Sequence, residues 1–317
     1  MPLDPDLEAF LELAELGRLT GKSQPMHALS VAQARQEFEK TSAVLDPSPP
    51  DTLHVRTLRV PARDGHALDA RLYGGAKADG EPLPVILYLH GGGYVVGSLD
   101  SHDSICRRLA ASGRHAVFAP AYRLAPEARF PTAVNDVLDA ANWLAEQAHG
   151  LGLDPKRIIL AGDSVGASLA TVLAISAARA PSELAFKPLA QLLFYPVTDL
   201  SQQRGSHTRY DEGYLLETAT LEWFYDHYCT AAQRNDWRAS PLLAEPLPAL
   251  APTYLSLAEY DPLHDEGIAY AERLKASGTA VTLQVEEGLT HDFLRMSGIS
   301  GAVAPLYQAV ERWLLTV

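Results

Sequence analysis

Cysteine is scarce in this chain. Cys106 and Cys229 stand far apart and in no paired motif, which argues against a disulfide framework or a zinc ribbon. No His-Glu-x-x-His or other paired-ligand spacing occurs, so no metal site is expected and the sequence calls for no cofactor. Basic residues are in deficit, 26 against 39 acidic, for a formal charge of −13. That balance argues against nucleic acid and anionic membrane surfaces as partners. No apolar run approaches the roughly 18 residues that would cross a bilayer. The start, Met1-Pro2-Leu3-Asp4-Pro5-Asp6, lacks the positive-then-apolar pattern of a signal peptide. Internal repeats and low-complexity tracts are missing too. The expectation is a soluble, cytoplasmic protein acting on a small molecule, with a homodimer left open.

One short stretch organises the rest. Arg157-Ile158-Ile159-Leu160-Ala161-Gly162-Asp163-Ser164-Val165-Gly166 begins as an apolar strand and closes in Gly-x-Ser-x-Gly. The residues after it, Ala167 to Ala174, read as a helix, so the local prediction is strand, sharp turn, helix. A serine on such a turn needs glycine on both sides, because a side chain at Gly162 or Gly166 would collide with a neighbouring strand or helix. The turn would hold the Ser164 hydroxyl above the sheet edge, at a helix N-terminus that favours developing negative charge.

The chain opens with helices. Asp4 followed by Pro5 is an N-cap signal, Leu7, Phe10, Leu11 and Ala14 share one face, and Gly17 suits a stop. Ser30 with Gln33 forms a capping box for a second helix to about Val44, and Asp46-Pro47-Ser48-Pro49-Pro50 reads as a linker. Then the period changes. Val55 to Val60 and Leu68 to Tyr73 flank Asp64-Gly65 as a hairpin. Strands are expected at Pro84 to Leu89, Ala116 to Pro120, Ala190 to Val197, Thr253 to Ala258 and Val281 to Val285. Helices are expected at Ser101 to Ala111, Pro131 to Ala148 with Gly150 as its end, Leu263 to Ala276 and Ala304 to Leu315. Strands alternating with helices imply a mostly parallel sheet covered on both faces. Between Val197 and Thr253 more than 50 residues carry no strand signal. There Leu215, Leu216, Leu221, Phe224, Tyr225 and Tyr228 make an aromatic-rich helical pattern. It suits either a buried core helix or part of a lid, and its place between two strands beside the presumed site favours the lid.

Acyl transfer by a serine needs a nucleophile, a base, an acid that orients the base, and donors for the oxyanion. His90-Gly91-Gly92-Gly93-Tyr94, directly after a buried strand, is the donor candidate. A phosphate-loop reading of the same glycines lacks the Lys-Ser/Thr of a P-loop. Of 11 histidines, His291 is best placed as base, since it follows the last strand candidate and the turn-like Glu287-Gly288-Leu289-Thr290. His264, at a helix start beside acidic residues, suits a surface or capping role, and His227 falls in the lid segment. Asp261 in Ala258-Glu259-Tyr260-Asp261-Pro262 is the acid candidate, with Pro262 forcing a turn. Asp265 and Glu266 fall on the first turn of a new helix, where complementing its dipole is the simpler role.

These motifs in this order resemble the hormone-sensitive-lipase family of α/β-hydrolases, in its bacterial carboxylesterase branch. His90-Gly91-Gly92-Gly93 is similar to that family's oxyanion motif, and Gly162-Asp163-Ser164-Val165-Gly166 to its nucleophile elbow. Tyr122-Arg123-Leu124-Ala125-Pro126-Glu127 with Phe130-Pro131 resembles a signature between them. Asp261-Pro262-Leu263-His264-Asp265-Glu266-Gly267 is similar to the acid motif, and His291-Asp292-Phe293 to the histidine motif. Val165 replaces the family's usual alanine, with a branched side chain expected to crowd the floor. Tyr94 stands where tryptophan is common, and His264 where arginine is. The resemblance implies an α/β-hydrolase fold over residues 1–317 as one domain: a mostly parallel central sheet flanked by helices. A helical cap would come from about 1–45 and about 200–237. It implies oxyanion donation by the N–H groups of Gly92, Gly93 and Val165, with His90 and Gly91 supporting the loop, and a pocket lined by Leu215, Leu216 and Phe224.

The expected function is a serine carboxylesterase for short to medium acyl chains, with Ser164 as nucleophile, His291 as base and Asp261 as orienting acid. Three other readings stand beside it. An amidase, lactonase or deacetylase would use the same oxyanion chemistry. The plant gibberellin receptors resemble this family but lack the catalytic histidine, so His291 points away from a non-catalytic receptor. An NAD(P)-dependent enzyme is disfavoured by the histidine at the head of the glycine loop and the lack of a matching acidic partner.

Overall fold

The apolar runs assemble into one eight-stranded sheet in the computed structural model, which describes residues 2–75 and 80–317. The chain runs α1 (Pro5–Leu19), α2 (Val31–Leu45), β1 (Val55–Pro61), β2 (Ala67–Tyr73), β3 (Leu83–Leu89), α3 (Asp103–Ala110), β4 (Ala116–Pro120) and α4 (Thr132–Leu151). It continues as β5 (Leu153–Asp163), α5 (Val165–Arg179), β6 (Ala190–Phe194), α6 (Gly205–Arg209), α7 (Thr218–Tyr228), β7 (Thr253–Tyr260), α8 (His264–Ala276), β8 (Val281–Thr290) and α9 (Val303–Leu314). The strand order is β1-β2-β4-β3-β5-β6-β7-β8. β1 and β2 form the expected antiparallel hairpin and β2 meets β4 antiparallel, while the pairings from β4 through β8 are parallel.

The strands are apolar throughout because both faces are covered. Side chains alternate along a strand, so β3 sends Val85, Leu87 and Leu89 to one face and Ile86 and Tyr88 to the other. The first set packs with Leu144 of α4, Leu169 and Leu173 of α5 and Leu274 of α8. The second packs with Ile105 and Leu109 of α3 and Val310 of α9. Among the described residues no helix is long and apolar enough to cross a membrane.

Several boundaries differ from expectation. α1 runs through Gly17 to Leu19, because the Leu16 carbonyl in its last turn still accepts the Thr20 N–H at 3.1 Å. α4 stops at Gly152, not Gly150, since it is Gly152 that turns left-handed at φ 79°. α3 begins at Asp103, leaving Ser101 and His102 in the preceding turn. β6 ends at Phe194, not Val197, because Tyr195 has φ 36° and leaves the ladder. In the insert, Leu215 and Leu216 precede α7 and do not belong to it, Leu215 being left-handed at φ 72°. β8 extends past Val285 to Thr290, so Glu287 to Thr290 is a bulged strand end and not a free turn. Gly288 takes φ 73° there and the register against β7 shifts.

At the elbow the packing is close enough to exclude any side chain. A Cβ on Gly166 would stand 2.0 Å from the Leu89 carbonyl oxygen, and one on Gly162 would stand 2.4 Å from the Gly166 backbone. Gly166→Ala is therefore expected to lower stability by about 1–3 kcal/mol or more. Denaturant unfolding checks this, and a variant as stable as the parent would contradict the packing described.

Candidate active site

The site forms where β3, β5, β6, β7 and β8 end. Ser164 bridges β5 and α5 at φ 53° and ψ −122°, a backbone region that non-glycine residues rarely adopt. Its neighbours hold it there: its N–H donates to the Phe194 carbonyl at 2.9 Å, and its own carbonyl accepts from Val197 at 3.3 Å.

β8 delivers His291 to this point and the end of β7 delivers Asp261. His291 Nε2 lies 3.0 Å from Ser164 Oγ, and Nδ1 lies 2.7 Å from Asp261 Oδ2. A carboxylate only accepts, so Nδ1 carries the proton and Nε2 is left free to accept from the serine. Asp261 is buried, and its Oδ1 accepts from the Leu263 N–H at 2.8 Å. Burial works to lower the His291 pKa, but the charge and hydrogen bond of Asp261 outweigh it and raise the pKa above the ordinary value.

Gly92 and Gly93 follow β3 with φ 110° and 60°, conformations open to glycine, and line the same cavity as Ser164 and Val165. His90 supports this loop. Its Nδ1–H donates to the Gly91 carbonyl at 2.8 Å, its ring stacks on Tyr122 at 4.4 Å, and the Tyr122 hydroxyl donates to the His90 carbonyl at 2.7 Å. Burial and the neighbouring His102 push the His90 pKa down to about 4, so it is neutral and structural. Val165 is buried on the floor, while Tyr94 stacks face to face with Tyr228 at 3.7 Å.

Two carboxyl groups here were missed as contributors. Asp163, the variable residue of the elbow motif, is fully buried. It accepts from Gly91 N at 3.0 Å, from the Tyr88 hydroxyl at 2.6 Å, and lies 3.3 Å from His102 Nε2. Burial would raise its pKa, but His102 and Tyr88 hold it at about 2, so a fixed anion ties the elbow to the glycine loop. An aspartate closing an otherwise apolar strand was the available signal. Glu266 does not complement a helix dipole on the surface. It is buried, its Oε1 accepts from Thr198 N at 2.5 Å, and burial pushes its pKa up to about 8. Asp265 instead receives the Ser206 N–H at 2.8 Å and pairs with Arg209. His264 bonds the Ala258 carbonyl at 2.8 Å and His227 that of Trp223 at 2.8 Å, both away from the triad atoms.

Above the serine lies a cavity of about 750 Å³. Leu215, Leu216, Leu221, Phe224 and Tyr225 of the insert form one side, and Phe10, Met26, Leu29 and Phe38 of the N-terminal segment another. Leu7 does not line it: it is buried in the core layer on the α3 and α9 side, and Leu11 packs against that layer. Tyr228 is taken up by Tyr94. Gly93 leaves room for α7, since a Cβ there would stand 2.2 Å from the Phe224 ring.

A hydroxyl bonded to imidazole, and imidazole to carboxylate, beside a glycine loop at the carboxyl ends of a parallel sheet, defines a serine hydrolase on an α/β-hydrolase fold. Comparison with known proteins agrees. A family profile for the alpha/beta hydrolase fold matches residues 86–295, and the chain belongs to that family. It is 52% identical to an ethyl acetate hydrolase of Pseudomonas putida over 94% of each chain. It is 37% identical to the carboxylic ester hydrolase LipN of Mycobacterium tuberculosis, over 95% of this chain and 80% of that one. A hyperthermophilic esterase from the archaeon Pyrobaculum calidifontis superposes with a TM-score of 0.87 at 36% identity, covering 98% of this chain and 97% of that one. The chain is a serine carboxylesterase.

Only a neutral imidazole leaves Nε2 able to accept from Ser164 Oγ, so with His291 as base its raised pKa gives the sign of the pH dependence. Activity should climb with pH through a midpoint above the ~6.5 of an ordinary histidine. A pH profile of kcat/KM on a soluble ester reads this directly, and a midpoint below ~6.5 would contradict the Asp261 pairing.

Proposed function

We propose that Ser164 attacks the ester carbonyl while His291 takes its proton, and that Asp261 holds the imidazole tautomer and stabilises the imidazolium. The developing oxyanion would be met by the N–H groups of Gly92, Gly93 and Val165, and by the positive end of α5. His291 then protonates the leaving alcohol, and water hydrolyses the acyl-enzyme by the same route. The observation that carries this reading is the unbroken contact from Ser164 Oγ to His291 (3.0 Å) to Asp261 (2.7 Å) at the floor of the cavity. Ser164→Ala should lower kcat by up to about 10⁶ while leaving the fold intact. More than a tenth of parental activity in that variant would remove Ser164 from the mechanism.

The substrates we propose are esters of short to medium acyl chains, with residues 1–45 and about 200–237 acting as a cap. The apolar wall of Leu215, Leu216, Leu221 and Phe224 supports this, as does the likeness to the Pseudomonas ethyl acetate hydrolase. Each methylene that finds apolar wall contributes about 0.8 kcal/mol, roughly fourfold in kcat/KM if realised in the transition state. Activity on p-nitrophenyl esters should climb from acetate, peak between butyrate and octanoate, and fall by laurate. A profile that keeps rising to palmitate, measured below micellar concentrations, would refute a closed cap. A cytoplasmic location belongs to the same proposal and is tested by cell fractionation.

A further inference from the structure

Helix α2 does more than wall the cavity: two arginines tie it to the two loops that carry the chemistry. Arg35, on α2, donates from Nε to the Val95 carbonyl at 2.8 Å and from Nη2 to the Ala125 carbonyl at 2.9 Å. Val95 directly follows the glycine loop. From the other side comes Arg295, just beyond His291 and only 3% exposed. Its Nη2 donates to Ser42 Oγ on α2 at 2.7 Å, and its guanidinium carbon lies 3.9 Å from the centre of the Phe38 ring, also on α2. Its Nη1 donates to Asp292 Oδ2 at 3.2 Å. The Gly298 N–H adds a bond to the Leu45 carbonyl at 2.8 Å, at the end of α2. The segment that begins with His291 is thus seamed to a helix far from it in sequence.

We infer that Arg295 is a positioning residue for His291, through which α2 fixes where the base stands and which charges it faces. This rests on the reading of His291 as the base. The argument has two parts. A buried guanidinium stacked on one ring and bonded to two partners has little freedom, so the backbone between His291 and Arg295 is held against α2. The same cation offsets Asp292, whose carboxylate would otherwise act uncompensated on the adjacent imidazole. The other groups bearing on His291 are Asp261 and Asp163 below it and the Tyr195 ring at 4.6 Å. From α2, Glu37 and Lys40 at the cavity wall pair with each other at 2.7 Å. Arg295 is therefore the one cation placed to neutralise Asp292 among the described contacts of that side chain.

The test uses the full chain and p-nitrophenyl acetate, a substrate too short to need α2 as an apolar wall. Arg295→Lys keeps the charge beside Asp292 but gives up the reach to Ser42. Its kcat should fall about tenfold, short of the ~100-fold of a 1 Å misplacement, with KM nearly constant and the acid limb of kcat/KM in place. Arg295→Met also removes the charge. Its acid limb should move up by about half to one pH unit, and Asp292→Asn in that background should bring it back. Ser42→Ala, which removes the bond from the α2 side alone, should lower kcat about twofold in the same direction. A helix that serves only as a wall predicts another pattern: acetate kinetics and the acid limb unchanged in every variant, with losses confined to longer esters. That pattern overturns the inference. His291→Ala measured alongside separates the two readings. If it stays active, the assignment of the base fails. If it is dead while the Arg295 variants match the parent on acetate, only the role of Arg295 fails. Circular dichroism checks folding first, and should Arg295→Met not fold, Arg295→Lys and Ser42→Ala decide the question by kcat.

Discussion

The backbone at Ser164 is held in a conformation it would not choose, and much of the site is arranged to hold it there. A positive φ at a residue with a side chain persists only when the surroundings over-determine it. Here they do so from several sides. Phe194 takes the Ser164 N–H, Val197 donates to its carbonyl, and Gly166 sits against the end of β3. The same contacts explain why β6 stops at Phe194 and why the chain beyond it bends at Tyr195. Its edges are then fixed by hydrogen bonds that the ladder would otherwise have used.

Around this turn three buried carboxyl groups differ in charge because their partners differ. Asp163 is an anion because two side-chain donors and a backbone N–H surround it. Asp261 faces an imidazole N–H and the Leu263 N–H. Glu266 has backbone donors on one oxygen, while the other makes no hydrogen bond and only faces His207 Nε2 at 3.9 Å, so burial prevails and its pKa rises. The groups are placed so that the Asp163 anion fixes the glycine loop and Asp261 holds the His291 ring, while Glu266 holds the chain beyond β6, at Thr198, without adding a full charge at neutral pH.

The N-terminal helices and the segment after β6 meet over the serine although they are far apart in the chain. Arg18 of α1 pairs with Glu217 at the start of α7, and His27 lies 3.4 Å from the same carboxylate. Phe38 of α2 stacks towards His102, which in turn faces Asp163. The cavity wall, the glycine loop and the loop that carries His291 therefore share supports.

Local signals in the sequence determined a great deal. The capping box at Ser30, the proline after Asp4, the alternation of apolar runs and the close glycines at 91–93 and 162–166 act within a few residues, and the elements form where those signals lie. The chain order of Ser164, Asp261 and His291 was legible for the same reason: each follows a strand end. Boundaries governed by backbone turning, such as Gly152 in place of Gly150 or the bulge at Gly288, were not, because several glycines were eligible and packing chose among them. Periodicity put Leu7, Phe10 and Leu11 on one helical face but could not say what that face would meet. The structure sends Phe10 to the cavity and Leu7 into the core. The ionisation of Asp163 and Glu266, and the reach of Arg295 to α2, depend on burial and on partners far away in sequence. Charge state and long-range contact are properties of the enclosing volume, and only the folded chain defines that volume.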